Sequence, residues 1–263
     1  MIRYVLLLSL LFFITVNSQG GIVVLNGLTH IYQTDKGQVY KGKIEIQNTG
    51  DSPQSVKLYL QDLTYSYDGT IHYSAPSTNK KTNSKWIKLN SNLVNLKQKE
   101  KTEIFYEITV PDSTSLSGSY WSTIIVEPVE ELLPFNNKDG LQITSIVRYA
   151  IQIITNYSTQ NLKPALLFKH IEVDQSTGKK HVKIALENSG LLFCKPTTSI
   201  EIYNKISGEK VAHLFSQAMG LLPGTSKYYP IDVNDVPNGQ YKVVLYATDQ
   251  DQNTFALEVD MEI

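Results

Sequence analysis

Lys43–Ser52 reads KIEIQNTGDS, and Lys183–Leu192 reads KIALENSGLL. Both run Lys-Ile, then an apolar residue two positions on, then Asn, Ser or Thr, and Gly. Ile44 and Ile46, like Ile184 and Leu186, fall on one face of a chain with period two. That is the signature of a strand with one dry and one wet face. Asn-Thr-Gly and Asn-Ser-Gly are turn chemistry, because Asn bonds its own backbone two residues on and Gly tolerates tight approaches.

The segments after the two copies also match. Asn48-Thr49-Gly50 leads into a second strand and a turn-rich stretch. A Leu-rich link (NLVNLKQKEKTEI, 92–104), Val110-Pro111 and Gly118-Ser119-Tyr120 complete the series. After Asn188-Ser189-Gly190 the order recurs as GLLPGTSKYYPI (220–231), Val236-Pro237 and Gly239-Gln240-Tyr241. Three features in one order point to a duplicated unit.

Alternation extends through the rest of the chain. Val56, Leu58 and Leu60 share a face, as do Ile104, Tyr106, Ile108 and Val110. So do Tyr241, Val243 and Leu245, and Phe255, Leu257, Val259, Met261 and Ile263. No segment beyond the N-terminus sustains a 3.6-residue period. The expected fold is all-β: two tandem immunoglobulin-like β-sandwich domains, at 19–157 and 158–263, after a signal peptide. The hairpin YSYDGTIHYS (65–74) reads as an addition to the first.

The opening MIRYVLLLSLLFFITVNSQG carries one early Arg, an apolar run and small exit residues. It reads as a secretory signal peptide over residues 1–18, too short for a membrane anchor. No membrane span is expected in the mature chain, and no Cys stands ready to accept lipid. The single cysteine, Cys194, permits no internal disulfide, so stability must come from core burial. Export without disulfides indicates the periplasm or surface of a bacterium. Net charge is −1, with no basic excess, which argues against nucleic acid. Asn156-Tyr157-Ser158 matches a glycosylation sequon at chance frequency.

Leu141–Ser158, LQITSIVRYAIQIITNYS, alternates over more residues than the usual strand of about six. Ile143, Val147, Tyr149 and Ile151 share one face. The preceding loop, VEELLPFNNKDG (129–140), carries Leu132, Leu133 and Phe135, either tucked onto the sheet or offered to a partner. With Arg148, these residues are the candidate partner-binding set.

The pattern resembles the PapD-like periplasmic chaperone superfamily, and the related first modules of WxL-interacting proteins. The residues carrying it are GQVYKGKIEIQNTGDSPQSVKLYLQDL (37–63), KWIKL (85–89), ITVP (108–111), GSYWSTIIVEP (118–128) and ITSIVRYAIQII (143–154). The resemblance implies a long strand that completes a partner's sheet by edge pairing. It also implies two cations that hold the partner's terminal carboxylate. Arg148 matches one, but Ala150 stands at the position of the other, and GIVVLNGLTHIY (21–32) contains no Arg or Lys. The implied partner is another envelope or surface protein: an adhesin, a pilus-like subunit or a secretion-machinery subunit.

No catalysis, cofactor or metal is expected. His30, His72, His170, His181 and His213 show no ligand spacing and read as surface or strand-end residues. Cys194 reads as a buried, inert thiol, and DQDQN (249–253) as a hairpin turn. Trp86 and Trp121 read as core or sheet-face anchors. The alternative is a carbohydrate- or matrix-binding surface module that uses Tyr65, Tyr67 and Tyr73.

Overall fold

Strands with one apolar face gain by closing those faces on each other, which removes about 25 cal/mol of unfavourable exposure per Å² buried. The computed structural model describes residues 20–113, 115–129, 146–157, 160, 162–176 and 178–263. The expected signal peptide lies outside the described residues.

The first half supplies β1 (Ile22–Val24), β2 (Thr29–Thr34), β3 (Val39–Asn48), β4 (Gln54–Tyr65) and β5 (Ile71–Ser74). Then come β6 (Ile87–Leu89), β7 (Leu93–Leu96), β8 (Lys101–Thr109), β9 (Gly118–Val129) and β10 (Tyr149–Tyr157). One sheet runs β1-β3-β8-β6, the other β2-β10-β9-β4-β5, with β7 also on β4. Between them Ile44, Ile46, Leu58, Ile104, Ile108, Ile124, Ile151 and Ile153 form an aliphatic core.

The second half supplies β11 (Leu166–Asp174), β12 (His181–Asn188), β13 (Thr197–Asn204) and β14 (Lys210–Phe215). It ends with β15 (Ser226–Asp232), β16 (Gln240–Thr248) and β17 (Thr254–Glu262). Its sheets are β11-β12-β15 and β14-β13-β16-β17, around Ile184, Leu186, Ile200, Ile202, Tyr229, Val243 and Leu245. The orders β1-β3-β8 and β5-β4-β9-β10 repeat as β11-β12-β15 and β14-β13-β16-β17. The hairpin expected as an addition therefore has a counterpart, β13–β14. Three strands, β2, β6 and β7, lack one.

The repeated Asn explains the repeated sequence. Asn48 Nδ2 donates to the Ser52 carbonyl at 2.7 Å and the Lys97 carbonyl at 3.0 Å, while Oδ1 accepts the Gly50 N–H. Asn188 Nδ2 donates to the Leu192 carbonyl at 2.7 Å and the Leu221 carbonyl at 3.2 Å, and Oδ1 accepts the Gly190 N–H. Each side chain ties the end of one strand to the next segment and to the Leu-rich link. Thr49 and Ser189 bond backwards in the same way, to the Gly21 and Ala165 carbonyls through both N–H and hydroxyl. A Cβ on Gly190 would lie 2.7 Å from Ala165 N, so the third residue must be Gly.

The stretch GIVVLNGLTHIY (21–32) divides at Asn26-Gly27: β1 pairs antiparallel with β3, and β2 crosses to the other sheet to pair parallel with β10. The described part of the long strand spans Tyr149–Tyr157.

The two sandwiches meet through a separate cluster of Leu63, Trp121, Ile154, Phe193 and Leu222, with Tyr65 against it. Trp121 Nε1 donates to the Leu63 carbonyl at 2.8 Å. The Ser119 N–H donates to the Leu191 carbonyl at 2.8 Å, and the Phe193 N–H to Ser119 Oγ at 2.7 Å. Gly118, at φ +84°, lets the backbones approach that closely.

Candidate functional site

β10 is the strand on which the edge expectation rests, and its two edges differ. One is covered throughout by antiparallel β9, from Tyr149 opposite Val126 to Tyr157 opposite Gly118. The other carries β2 only from Gln152 to Tyr157. The Gln152 N–H donates to the Leu28 carbonyl at 2.9 Å, so even-numbered residues of β10 direct their backbone groups to that side. At Ala150, among the described residues, no strand lies against them. Among the described residues, the strand is paired on both sides from Gln152 to Tyr157 and on one side only at its start.

Side chains on the expected face divide. Val147 is 59% exposed and its neighbour Ile146 42%, whereas Ile151 is fully buried in the core and Tyr149 packs against it. Ile151 belongs to the core of its own sandwich, where the two sheets close over it. Arg148 is exposed, but its Nε lies 3.6 Å from Glu127 Oε1 on β9, and Glu127 Oε2 accepts the Tyr59 hydroxyl at 2.7 Å. The cation implied as a carboxylate anchor thus already faces a carboxylate. Ile143, Leu132, Leu133 and Phe135 lie outside the described residues.

The tyrosines of the alternative reading are placed differently from expectation. Tyr65 is built into the junction: its hydroxyl accepts the Leu222 N–H at 3.0 Å and lies 3.3 Å from the Gly220 carbonyl. The Tyr67 ring packs against His170 and Tyr228. Neither ring is free to stack on a sugar, and Tyr73 alone is substantially exposed.

Trp121 is buried and Trp86 packs on Tyr120 with centroids 5.0 Å apart. DQDQN forms the turn between β16 and β17, with Asp249 accepting N–H groups from Asp251 and Asn253. Among the described residues, no group of three or more His, Cys, Asp and Glu side chains could hold a metal. Cys194 is fully buried, and burial, aided by Asp249, pushes its thiol up to about 12. The thiolate is the reactive form. A disulfide reagent at pH 8 should therefore label the native protein at least roughly 100-fold more slowly than the urea-unfolded chain. Equal rates would show that the second core does not seal.

His30 departs most from the sequence reading. Its side chain points between the sheets, with Nδ1 2.6 Å from the Tyr106 hydroxyl. The signal was the alternation in Thr29–Thr34, which puts His30, Tyr32 and Thr34 on one face.

The fold is that of two tandem immunoglobulin-like sandwiches. Residues 138–263 match the family model described as WxL Interacting Protein, host binding domain. That match spans β10 and the second sandwich, whereas the motifs carrying the sequence resemblance lie mainly in the first. Among solved structures, the class 5 fimbriae chaperone CfaA is similar at 10% identity and TM-score 0.47, covering 90% of this chain and 98% of its own. The YadV chaperone is similar at 16% identity and TM-score 0.43, covering 92% and 99%. A third is the CsuC–CsuE chaperone-tip adhesion subunit complex of Acinetobacter baumannii, at 15% identity and TM-score 0.44, covering 90% and 97%. No curated protein matches the sequence.

Proposed function

We propose that this is an exported, non-enzymatic protein of the bacterial envelope that binds a partner protein by strand addition to β10. It acts as an assembly chaperone or fixed scaffold of a surface structure. The observation that carries this is that, among the described residues, one side of β10 carries no strand at Ala150, beside exposed Ile146 and Val147. An unpaired strand edge supplies backbone donors and acceptors in register, and adjacent apolar side chains supply affinity. The match of 138–263 to a host binding domain supports a protein ligand and a surface setting.

Ala150→Pro tests the edge directly. It removes one outward N–H and leaves the β9 ladder, carried by odd-numbered residues, intact. The expected result is a melting temperature within roughly 4 °C of the parent and loss of at least about 90% of the envelope partner recovered with the tagged parent chain. Val147→Glu should weaken capture in the same direction. If both variants fold and recover the same partner in full, β10 is not the binding edge.

A further inference from the structure

β2 is attached to its sandwich in an unusual way. Thr29, Ile31 and Gln33 face outward and are exposed, and the inward residues are His30, Tyr32 and Thr34. None of those three is aliphatic, and all are held by hydrogen bonds. His30 Nδ1 meets the Tyr106 hydroxyl at 2.6 Å, and the Tyr32 hydroxyl meets the same oxygen at 2.8 Å. Thr34 Oγ1 donates to the Asn156 carbonyl at 3.0 Å. Lifting an aliphatic strand exposes Val- or Ile-type side chains at about 1.5–3 kcal/mol each. Lifting β2 exposes groups that water can hydrogen-bond in exchange.

The strand also lies between two fixed points, each with a neighbouring glycine in the left-handed region. Before it, Asn26 is clamped to β3: Nδ2 donates to the Lys43 carbonyl at 2.8 Å and Oδ1 accepts the Glu45 N–H at 3.0 Å. Gly27 comes next, at φ +84°. After the strand, Gly37 stands at φ +68°, next to Gln38, whose carbonyl accepts the Val110 N–H at 2.9 Å. Leu28–Lys36 is thus a short segment with a permissive hinge at each end.

We propose that Leu28–Lys36 is a releasable strap over β10, and that protonation of His30 opens it. Release lengthens the open side of β10 from its first residues through to Tyr157. The inference rests on the edge-binding reading for its purpose, and its test needs no partner.

The chemistry at His30 sets the direction. Nε2 is enclosed without a hydrogen-bond partner among the described residues. The Asn26 and Gly27 carbonyls favour a proton on the ring, but burial outweighs them and lowers its proton affinity below the ordinary value of 6.5. The ionisable groups facing it are phenols, Tyr106 from β8 and Tyr32 from its own strand, and burial pushes Tyr106 upward. β3 presents Gly42, whose added Cβ would strike both phenols, and the register partner on β10 is Ile153. Neither phenol changes charge in acid. A ring with lowered affinity when closed and ordinary affinity when released binds more protons in the released form. The contribution of His30 to closure is therefore complete above about pH 6.5 and is lost as pH falls below it.

Amide hydrogen–deuterium exchange on the purified chain at pH 7.5 and pH 5.0, corrected for intrinsic rates, tests this. Peptides covering 28–36 and 152–157 should exchange about tenfold faster at pH 5.0, while those of β3 and β8 stay unchanged. His30→Phe should abolish the difference. The disulfide-locked variant Thr29→Cys/Gln152→Cys, which joins register partners on β2 and β10, should abolish it too and covers the case of a poorly folded His30→Phe. Equal protection at both pH values in the parent, or a response that persists in His30→Phe, overturns the strap. Either result leaves the capture experiment with Ala150→Pro untouched.

Discussion

Asn48→Ala and Asn188→Ala are each expected to destabilise the protein by about 2–4 kcal/mol, although neither removes an apolar side chain. Both asparagines are fully buried, and each satisfies two carbonyls and one N–H from separate segments. Alanine leaves those backbone groups enclosed and unpaired, at about 1–3 kcal/mol for each group that water cannot reach. Gln47→Ala, one residue earlier on the outward face, should stay within about 0.5 kcal/mol. Urea unfolding distinguishes the two. The expected outcome is a lower midpoint with an unchanged slope, since the surface exposed on unfolding is the same. A loss below about 0.5 kcal/mol for both asparagines would mean that the repeated motif is only turn chemistry and not a three-way tie.

The same pair shows what the sequence carried and what it did not. Period-two alternation and the Asn-x-Gly motif made the all-β fold and its duplication readable, because both depend on local geometry: strand pleat, Asx bonding and a Cβ-free approach. The partners of Asn48 and Asn188 at Lys97 and Leu221 were not readable, being 49 and 33 residues away. β2 was hidden for the same reason. THIYQT alternates like any strand, but nothing local says that it crosses to the other sheet and runs parallel to β10. Closure by β2 also decides which part of the candidate edge is open, so Ile151 and Val147, alike in sequence, part company. Tyr65 and Tyr67 looked like surface rings because hairpin tips usually face water; here the tip leans on the second sandwich.

That junction carries the other large expected effect. Gly118→Val should lower the melting temperature by roughly 6–12 °C, about 3 kcal/mol at this chain length, and should do so by separating the sandwiches rather than emptying a core. Gly118 sits at φ +84°, a region costly for any residue with a Cβ and most costly for a branched one. A Cβ there would lie 2.4 Å from the Leu191 carbonyl oxygen, a backbone atom that no side-chain rotation can move. Relief requires the loop at Leu191 to withdraw, which breaks the Ser119 N–H bond to Leu191 and exposes Trp121, Phe193 and Leu222. Each aliphatic core stays closed. Calorimetry should therefore resolve two transitions where the parent shows one, and small-angle scattering should report a larger radius of gyration. A single transition at the parental temperature, with unchanged dimensions, would show that the sandwiches are not held by this contact. Fixed orientation of the second sandwich would then have to come from the Tyr65 and Tyr67 hairpin alone.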